Sequence, residues 1–506
     1  MVAVVLVMLA TGLLTATAFA AVGGDIPFAR DSQDRKQAYA AAEAGIEYYL
    51  YQLARDNDYW TKCANVGTGV PINMANPSAG SRKWRNVAGS PARYSIELLP
   101  GEAACDTTKP EETLLDSATG TFRIRSTGES RAESRTIVST YRRSSFLDYL
   151  YFTDYEASDP LSFADSDDVE YARDNCVQYR AVRNQKSWCR DNVNITFPDF
   201  DAIHGPMHTN DDLLTCGAPD FGRLDKGDRI EISGPATNGW TRGEGCSGSP
   251  NFIGIKRHPA ATLTVPTSNT RLRDATLTGY RFSGATTIVL KGTTMDVTTP
   301  NSSGTFSTTT NMALPANGVI YVEKDGVCSI DAPRRVDYDN AADWRCAILT
   351  VRGNYSKSLT FGSEDDVLID EDLTRNNENV VLGLIANRFV RVKHDVEGSC
   401  GDNIPNSSNP LHNIQIDAAM LALNDSFIVD NYQCGDPMGT LTVRGAIAQK
   451  FRGPVGTFSG SSKASGYTKN YNYDDRLRYR SPPYFLDPVS AAWRVVRSNE
   501  QAPGTS

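Results

Sequence analysis

The chain is 506 residues long, enough for two to four domains at roughly 100–200 residues each. Its 51 basic and 60 acidic residues leave a net charge of −9, and no run of five basic residues occurs, which excludes the concentrated basic surface of a nucleic-acid-binding protein. A hydrophobic fraction of 40% excludes wholesale disorder, and 40 Gly with 25 Pro favour turns and strands over a helical bundle.

The first 24 residues carry no charged side chain, and MVAVVLVMLATGLLTATAFAAV spans 22 residues. As a helix that run is ~33 Å long, against a bilayer core of ~30 Å, so it reads as a membrane-length span. Val2, Val5, Leu6, Leu9, Leu13 and Leu14 supply its packing surface. The hydroxyls of Thr11, Thr15 and Thr17 can bond back to helix carbonyls. No basic flank precedes the run, so a basic leader is expected upstream of Met1. A competing fate is cleavage at Ala18, Phe19 and Ala20, an A-x-A pattern that would release a secreted protein. Gly23, Gly24 and Pro27 are expected to kink or locally melt the helix.

Residues 31–56 continue with helical spacing of apolar positions at 38, 42, 45/46, 49 and 53, and with Lys36, Glu43 and Glu47 opposite. Ala40, Ala41, Ala42, Ala44 and Gly45 form a small-residue patch on which another helix can approach closely. An apolar helix running into QAYAAAEAGIEYYLYQL resembles the N-terminal region of type IV pilins, and in particular PilX-type minor pilins. The resemblance covers residues 1 to about 56 and more loosely to about 145. The prepilin leader and a Glu within the apolar stretch are absent from this sequence. The resemblance implies a helix that is held in the membrane before assembly and then packs among equivalent helices of other pilin subunits. Val2, Val5, Leu6, Leu9, Leu13, Leu14, Ala42 and Gly45 would carry that membrane and filament packing.

After the helix, RYSIELL (93–99), TFRIRS (121–126) and RTIVSTYR (135–142) alternate polar and apolar residues as half-buried antiparallel strands do, giving a small pilin-like head over 57–145. From 146 the chain is β-rich. ATLTVPT, TTIVLKG, GVIYVEK, AILTVRG, SLTFG, DVLID, NVVLGLIAN, FVRVKH and TLTVRGAIAQK are short Val/Ile/Thr runs separated by Gly, Asn and Asp. They lack paired hairpin turns, which favours a β-helix or solenoid-like stack over a sandwich. Tyr484, Phe485 and Trp493 are expected to dock the C-terminal stretch on the body, with 498–506 as a disordered tail. The expected fold class is therefore α+β: a long N-terminal transmembrane helix (1–56), a head with a small antiparallel sheet (57–145), and a mainly β body (146–497).

Ten cysteines stand at 63, 105, 176, 189, 216, 246, 328, 346, 400 and 434, with no C-x-x-C pair. Singly spread cysteines after an export-like N-terminus read as a disulfide framework. Connectivity is open from sequence; neighbour pairing would join Cys63–Cys105, Cys176–Cys189, Cys216–Cys246, Cys328–Cys346 and Cys400–Cys434.

Candidate chemistry is sparse. His204 and His208 flank Gly205 and Pro206 beside Asp211 and Asp212, a turn more than a metal-binding helix face. Asp165, Asp167 and Asp168, and the acidic stretch 363–372, lack the Gly and Glu of a calcium loop and read as solvated acidic turns. Nucleophile and phosphate-loop motifs do not occur. The expectations are no catalytic residue, no cofactor, no metal and no nucleic-acid partner. The functional reading is a structural subunit of a type IV pilus or related cell-surface filament, minor or tip-associated, involved in assembly or adhesion, with a tip adhesin or surface ligand as a further partner. The alternative is a signal-anchored or secreted adhesin with a β-solenoid binding face. A surface glycan-active enzyme is a third reading.

Overall fold

In the computed structural model the described residues are 2–501, apart from 57–58, 62–71, 74–82, 100–113, 117–120, 164, 329–342, 399–403, 409, 460–461, 479 and 490–492. Of the side chains at 2–29, those of Ala3, Met8, Ala10, Thr11 and Leu13 are described. The chain divides into two units: Met1–Arg143 with Ala492–Ser506, and Ser144–Ala491. Strands make up 42% and helices 18%, so the protein is mainly β and the α+β class is corrected.

In the first unit one helix, Val2–Arg55, lies against a six-stranded sheet. Its strands Arg93–Leu99, Thr121–Ser130, Glu133–Arg143 and Trp493–Gln501 pair antiparallel in that order. Alternation places Tyr94, Ile96, Leu98, Phe122, Ile124, Ile137 and Tyr141 with the helix residues Ala41, Ala42, Ile46, Tyr49 and Leu53 in one core. Trp493 enters this core edge-on to Phe122, ring centroids 4.8 Å apart, and Phe122 stacks on Tyr141 at 5.2 Å. Residues 498–501 are therefore strand rather than disordered tail, because the edge of Glu133–Arg143 offers them a ladder of backbone partners. The helix and the head are one unit, and the body ends at 491 rather than 497.

The helix runs unbroken through Gly23, Gly24 and Pro27. A proline removes a single N–H donor, and the turns on either side keep theirs. Among the described residues no helix is long and apolar enough to cross a membrane, which corrects the expected transmembrane span. Where its side chains are described in continuity, from Arg30 onward, the helix is amphipathic and its apolar stripe is taken up by the sheet.

The second unit is built on a 23-stranded sheet that curls into two ladders of mostly parallel pairs. One ladder runs Ile255–Arg257, Arg229–Ile232, Met207–Thr209, Tyr151–Tyr155, the second half of Pro437–Phe451, Ala419–Ala422, Leu382–Ala386, Leu359–Ser363, Val319–Glu323 and Arg281–Ser283. The other runs Asn251–Phe252, Asp220–Phe221, Ala202–His204, Ser462–Tyr473, the first half of Pro437–Phe451, Gln415–Ile416, Val367–Arg375, Leu349–Tyr355 and Thr286–Gly292. Inward residues such as Ile203, Met207, Ile230, Leu349, Val351, Ile369, Leu384 and Val443 form a continuous core between them. Stacking order departs from chain order. The chain enters mid-stack at Tyr151, winds to one end at Arg257, crosses to the other end, and winds back until Ser462–Tyr473 pairs with Ala202–His204.

The crossing segment runs over 261–275 and opens with ATLTVPT, residues 261–267, which forms no strand. Its Leu263 and Val265, with Leu272, share one core cluster with Phe152, Ala448, Leu421, Ile385 and Tyr321 on five strands of the first ladder. Asparagines along the ladder hold its backbone in the same order. Asn210 bonds both the N–H and C=O of Leu263 at 2.9 and 2.7 Å, Asn424 donates to Thr267 O at 3.2 Å, and Asn317 donates to Ala275 O at 2.7 Å. Asn387 accepts from Asn269 N–H at 3.0 Å, while Asn269 Nδ2 donates to Ser363 O at 2.7 Å. Backbone that runs across the ladder cannot pair with it, so side-chain amides meet its polar groups instead.

Disulfides join Cys176–Cys189, Cys216–Cys246 and Cys328–Cys346. Cys434 is also disulfide-bonded. Cys63, Cys105 and Cys400 lie outside the described residues, so the expected Cys63–Cys105 and Cys400–Cys434 pairs do too.

Candidate functional site

The long helix carries two different surfaces. From Asp34 to Leu53 it is matched residue by residue to the sheet. Asp34 accepts from Arg131 at 3.2 Å, Gln37 accepts from Ser130 Oγ at 2.9 Å, and Tyr141 OH donates to Ile46 O at 3.0 Å. Gly128 lets the strand backbone touch the helix backbone: a Cβ there would stand 2.0 Å from Ala38 O and 2.4 Å from Ala42 N. A Cβ on Gly45 would meet Ser126 Oγ at 2.1 Å. Ala42 and Gly45, expected to pack against other subunits, therefore face the sheet of their own chain, and with Ala41 they are buried there. Of the small-residue patch only Ala40 is exposed and Ala44 half-buried. Lys36, Glu43 and Glu47 lie on the exposed face.

Toward the N-terminus all five described side chains are exposed, Met8 at 68% and Leu13 at 65%. Residues 2–33 add roughly 48 Å of helix ahead of Asp34. Val2, Val5, Leu6, Leu9 and Leu14 are on this stretch, with side chains outside the described residues. Large apolar side chains left in water on a helix mark a docking surface more often than a solvated end.

The polar clusters singled out in the sequence are tied into the fold of the second unit. His204 ends Ala202–His204 and is exposed, whereas His208 is buried on the next strand beyond the Gly205–Pro206 corner. His208 places Nε2 3.0 Å from Asn210 Oδ1 and Nδ1 3.3 Å from Glu231 Oε2, and its ring stacks on Phe152. Burial opposes the charge of Glu231, but hydrogen bonds from His208 and Tyr149 outweigh it and hold the carboxyl at about 2. Asp165 caps the helix Ser166–Asn175, with Asp167 and Asp168 in its first turn. In the 363–372 stretch, Asp365 binds Lys324 Nζ at 2.9 Å and Ala347 N–H at 2.9 Å, and Asp366 pairs with buried Arg391 at 3.3 Å. These carboxylates are engaged by protein donors. Among the described residues one grouping has metal-ligand spacing, Cys328, Cys346 and Asp365, and its two sulfurs are joined to each other.

Sequence reading missed the charge buried along the curled sheet. Arg183 and Asp211 pair at 3.1 Å with both side chains fully buried. Arg391 forks onto Asp430 at 2.8 Å, and Arg452 and Lys469 meet Asp201 at 3.4 and 2.8 Å. Next to these, Asp425 lies near Asp159, and burial pushes its carboxyl up to about 6. No spacing in the sequence marks these partners, because they are brought together by stacking of distant strands.

No protein-family model matches the chain, and no curated protein matches it. Among solved structures it is similar to the competence-associated pilin ComZ from Thermus thermophilus, at 12% identity, over 92% of this chain and 97% of that one, with a TM-score of 0.34. At that score the likeness carries no argument about fold or function.

Proposed function

We propose that the protein is a structural subunit of a pilus-like cell-surface filament, assembled through the apolar half of its long helix. The observation that carries this reading is the change of environment along Val2–Arg55: one face of residues 34–53 is covered by the sheet, while the five described side chains at 2–29 stand exposed. Burying a Met or Leu side chain stabilises a contact by about 1.5–3 kcal/mol, so a stretch with Val2, Val5, Leu6, Met8, Leu9, Leu13 and Leu14 gains by packing against equivalent helices of neighbouring filament subunits. Disulfides in the second unit are in keeping with an exported chain. A second unit of residues 144–491 is large for a subunit repeated along a thin shaft, which favours a minor or tip-associated place. The role is structural rather than catalytic.

Leu13→Asp tests it. The exposed position makes misfolding of either unit an unexpected result, which circular dichroism and intact disulfides check. Filaments sheared from cells should lose this subunit while the folded chain is still made. Unchanged incorporation of the variant would overturn the proposal.

A further inference from the structure

Five asparagines begin an N-x-S/T tripeptide: Asn194, Asn301, Asn354, Asn406 and Asn424. In an exported chain that tripeptide is an acceptor for N-linked sugar where it lies on a surface loop. The fold separates the five. Asn194 donates its amide Nδ2 to Asn184 Oδ1 at 3.0 Å and Arg190 O at 2.8 Å, Asn406 to Asp436 O at 3.2 Å, and Asn424 to Asn387 O at 2.8 Å. Ser426, the hydroxyl residue that follows Asn424, is fully buried. Asn354 lies in Leu349–Tyr355, which is paired with Thr286–Gly292 on one side and Val367–Arg375 on the other, and the next residue, Tyr355, is buried. Asn301 is different. It opens the turn 301–305 between Thr294–Pro300 and Phe306–Ala313, and Asn301, Ser302 and Ser303 are all exposed. Its Oδ1 accepts from Ser303 N–H at 2.9 Å and from Thr305 N–H at 3.0 Å, and no described group accepts from its Nδ2. The turn is held through the amide oxygen, and the amide nitrogen is left to solvent.

We propose that Asn301 is an N-glycosylation site, which takes an oligosaccharide from a lipid-pyrophosphate carrier through a separate transferase outside the cytosol. In that transfer Asn301 Nδ2 forms a bond to sugar C1, the C1–O bond to the pyrophosphate breaks, Nδ2 gives up one proton, and the lipid pyrophosphate leaves. A transferase closes around three consecutive residues, and a turn exposed at all three admits it where a strand paired on both sides does not. Disulfides in the same unit are in keeping with passage through that compartment. The strand that follows gives the modification a use. Phe306–Ala313 is the outer strand of its hairpin, has no charged residue and no proline, and is exposed at every position except half-buried Met312, with Phe306 at 52%. Strands exposed in that way invite pairing with other chains, and charge is a usual guard. Lys256 and Arg257 supply it on Ile255–Arg257, and Arg281 on Arg281–Ser283, the two end strands of the first ladder. On Phe306–Ala313 a bulky, hydrated sugar at the preceding turn takes that part. Asn301 belongs to 144–491, a different unit from the helix that carries assembly.

The test is mass spectrometry of the full chain purified from the cells that export it. Trypsin cuts after Lys291 and Lys324, and the peptide 292–324 between them holds Asn301 as its single N-x-S/T acceptor. That peptide should carry an oligosaccharide on Asn301, released by a peptide-N-glycanase with conversion of Asn301 to Asp. Asn301→Gln and Ser303→Ala should each abolish the modification, and Ser303→Thr, which keeps the hydroxyl, should retain it. Ser303→Ala removes one exposed hydroxyl and leaves the backbone bonds of the turn in place, so its loss of sugar is not a loss of fold. Asn194, Asn354, Asn406 and Asn424 should be unmodified. Recovery of 292–324 from the parent chain only in its bare form, sugar on a Ser or Thr of that peptide with Asn301 bare, or sugar on one of the other four asparagines in place of Asn301 would overturn the proposal.

Discussion

Ser139 and Ser498 lie 359 residues apart in sequence, yet they are register partners in one sheet and their hydroxyls stand 2.6 Å from each other. The same antiparallel pair begins at Arg143 opposite Trp493. Residues 144–491 thus occupy the place of a hairpin loop between two neighbouring strands.

Unit 1 should fold with that loop shortened. Replacing 144–491 by a short Gly/Ser linker should leave a helix-and-sheet protein with a single cooperative melt. Trp493→Ala in the full chain should destabilise the first unit by about 3–5 kcal/mol, since Trp493 fills the core between Trp60 and Phe122. Differential scanning calorimetry should show the transition of the second unit unmoved.

Contact of backbone with backbone at Gly128 should make that position intolerant. Gly128→Ala meets Ala38 O and Ala42 N, neither of which can move without shifting the helix, and should cost about 1–3 kcal/mol. Gly45→Ala meets the Ser126 hydroxyl first, a side-chain atom able to rotate, and should cost less. Urea midpoints of the two variants rank them directly.

Much of the first unit was legible in the sequence, and the reason is local. The strands around RYSIELL, TFRIRS and RTIVSTYR follow one another and show period-two alternation, and the spacing 38, 42, 45/46, 49, 53 gives the helix stripe. What covers that stripe was not legible: Ala42 and Gly45 suit a partner helix and a strand equally well, and only Gly128 on the facing strand decides for the strand. In the second unit, runs such as TTIVLKG and SLTFG are strands, but ATLTVPT, equally rich in Thr and aliphatic residues though carrying Pro266, is an unpaired crossing segment. Propensity reports fitness for a pleated surface, not the presence of a neighbour. Residues 498–501 were misjudged for a like reason, because their ladder partner lies hundreds of residues upstream.

The crossing segment should be fastened chiefly at Asn269. This buried side chain donates to Ser363 O and Ile385 O and accepts from Tyr321 OH at 2.6 Å. Asn269→Ala leaves the Tyr321 hydroxyl without its acceptor and removes both donations, while Ser363 O keeps the Asn387 N–H, and should cost about 1–3 kcal/mol. Hydrogen exchange should then speed up in 261–275 before the rest of the sheet.

Buried carboxylates give the second unit a definite pH response. Asp425 is raised to about 6 by burial, with nearby Asp366 adding repulsion and Arg388 at 3.5 Å opposing. A raised acid pKa means the folded state holds the proton more tightly. Its stabilising contribution is complete below the unfolded value near 4 and is lost as pH rises through 6. Asp425→Asn should therefore gain stability relative to the parent as pH rises from 4 to 8. Urea unfolding of both proteins at the two pH values measures that difference, and a variant curve parallel to the parent's would contradict it.

The central claim is that the exposed apolar part of Val2–Arg55 joins this chain to neighbouring filament subunits. A photo-crosslinking residue placed at Leu13, irradiated in intact surface filaments, tests it most directly. The account predicts a ladder of covalent multimers of this subunit or its adducts with other filament subunits, absent from unirradiated samples. Recovery of the uncrosslinked chain alone, from filaments that contain it, would contradict the account.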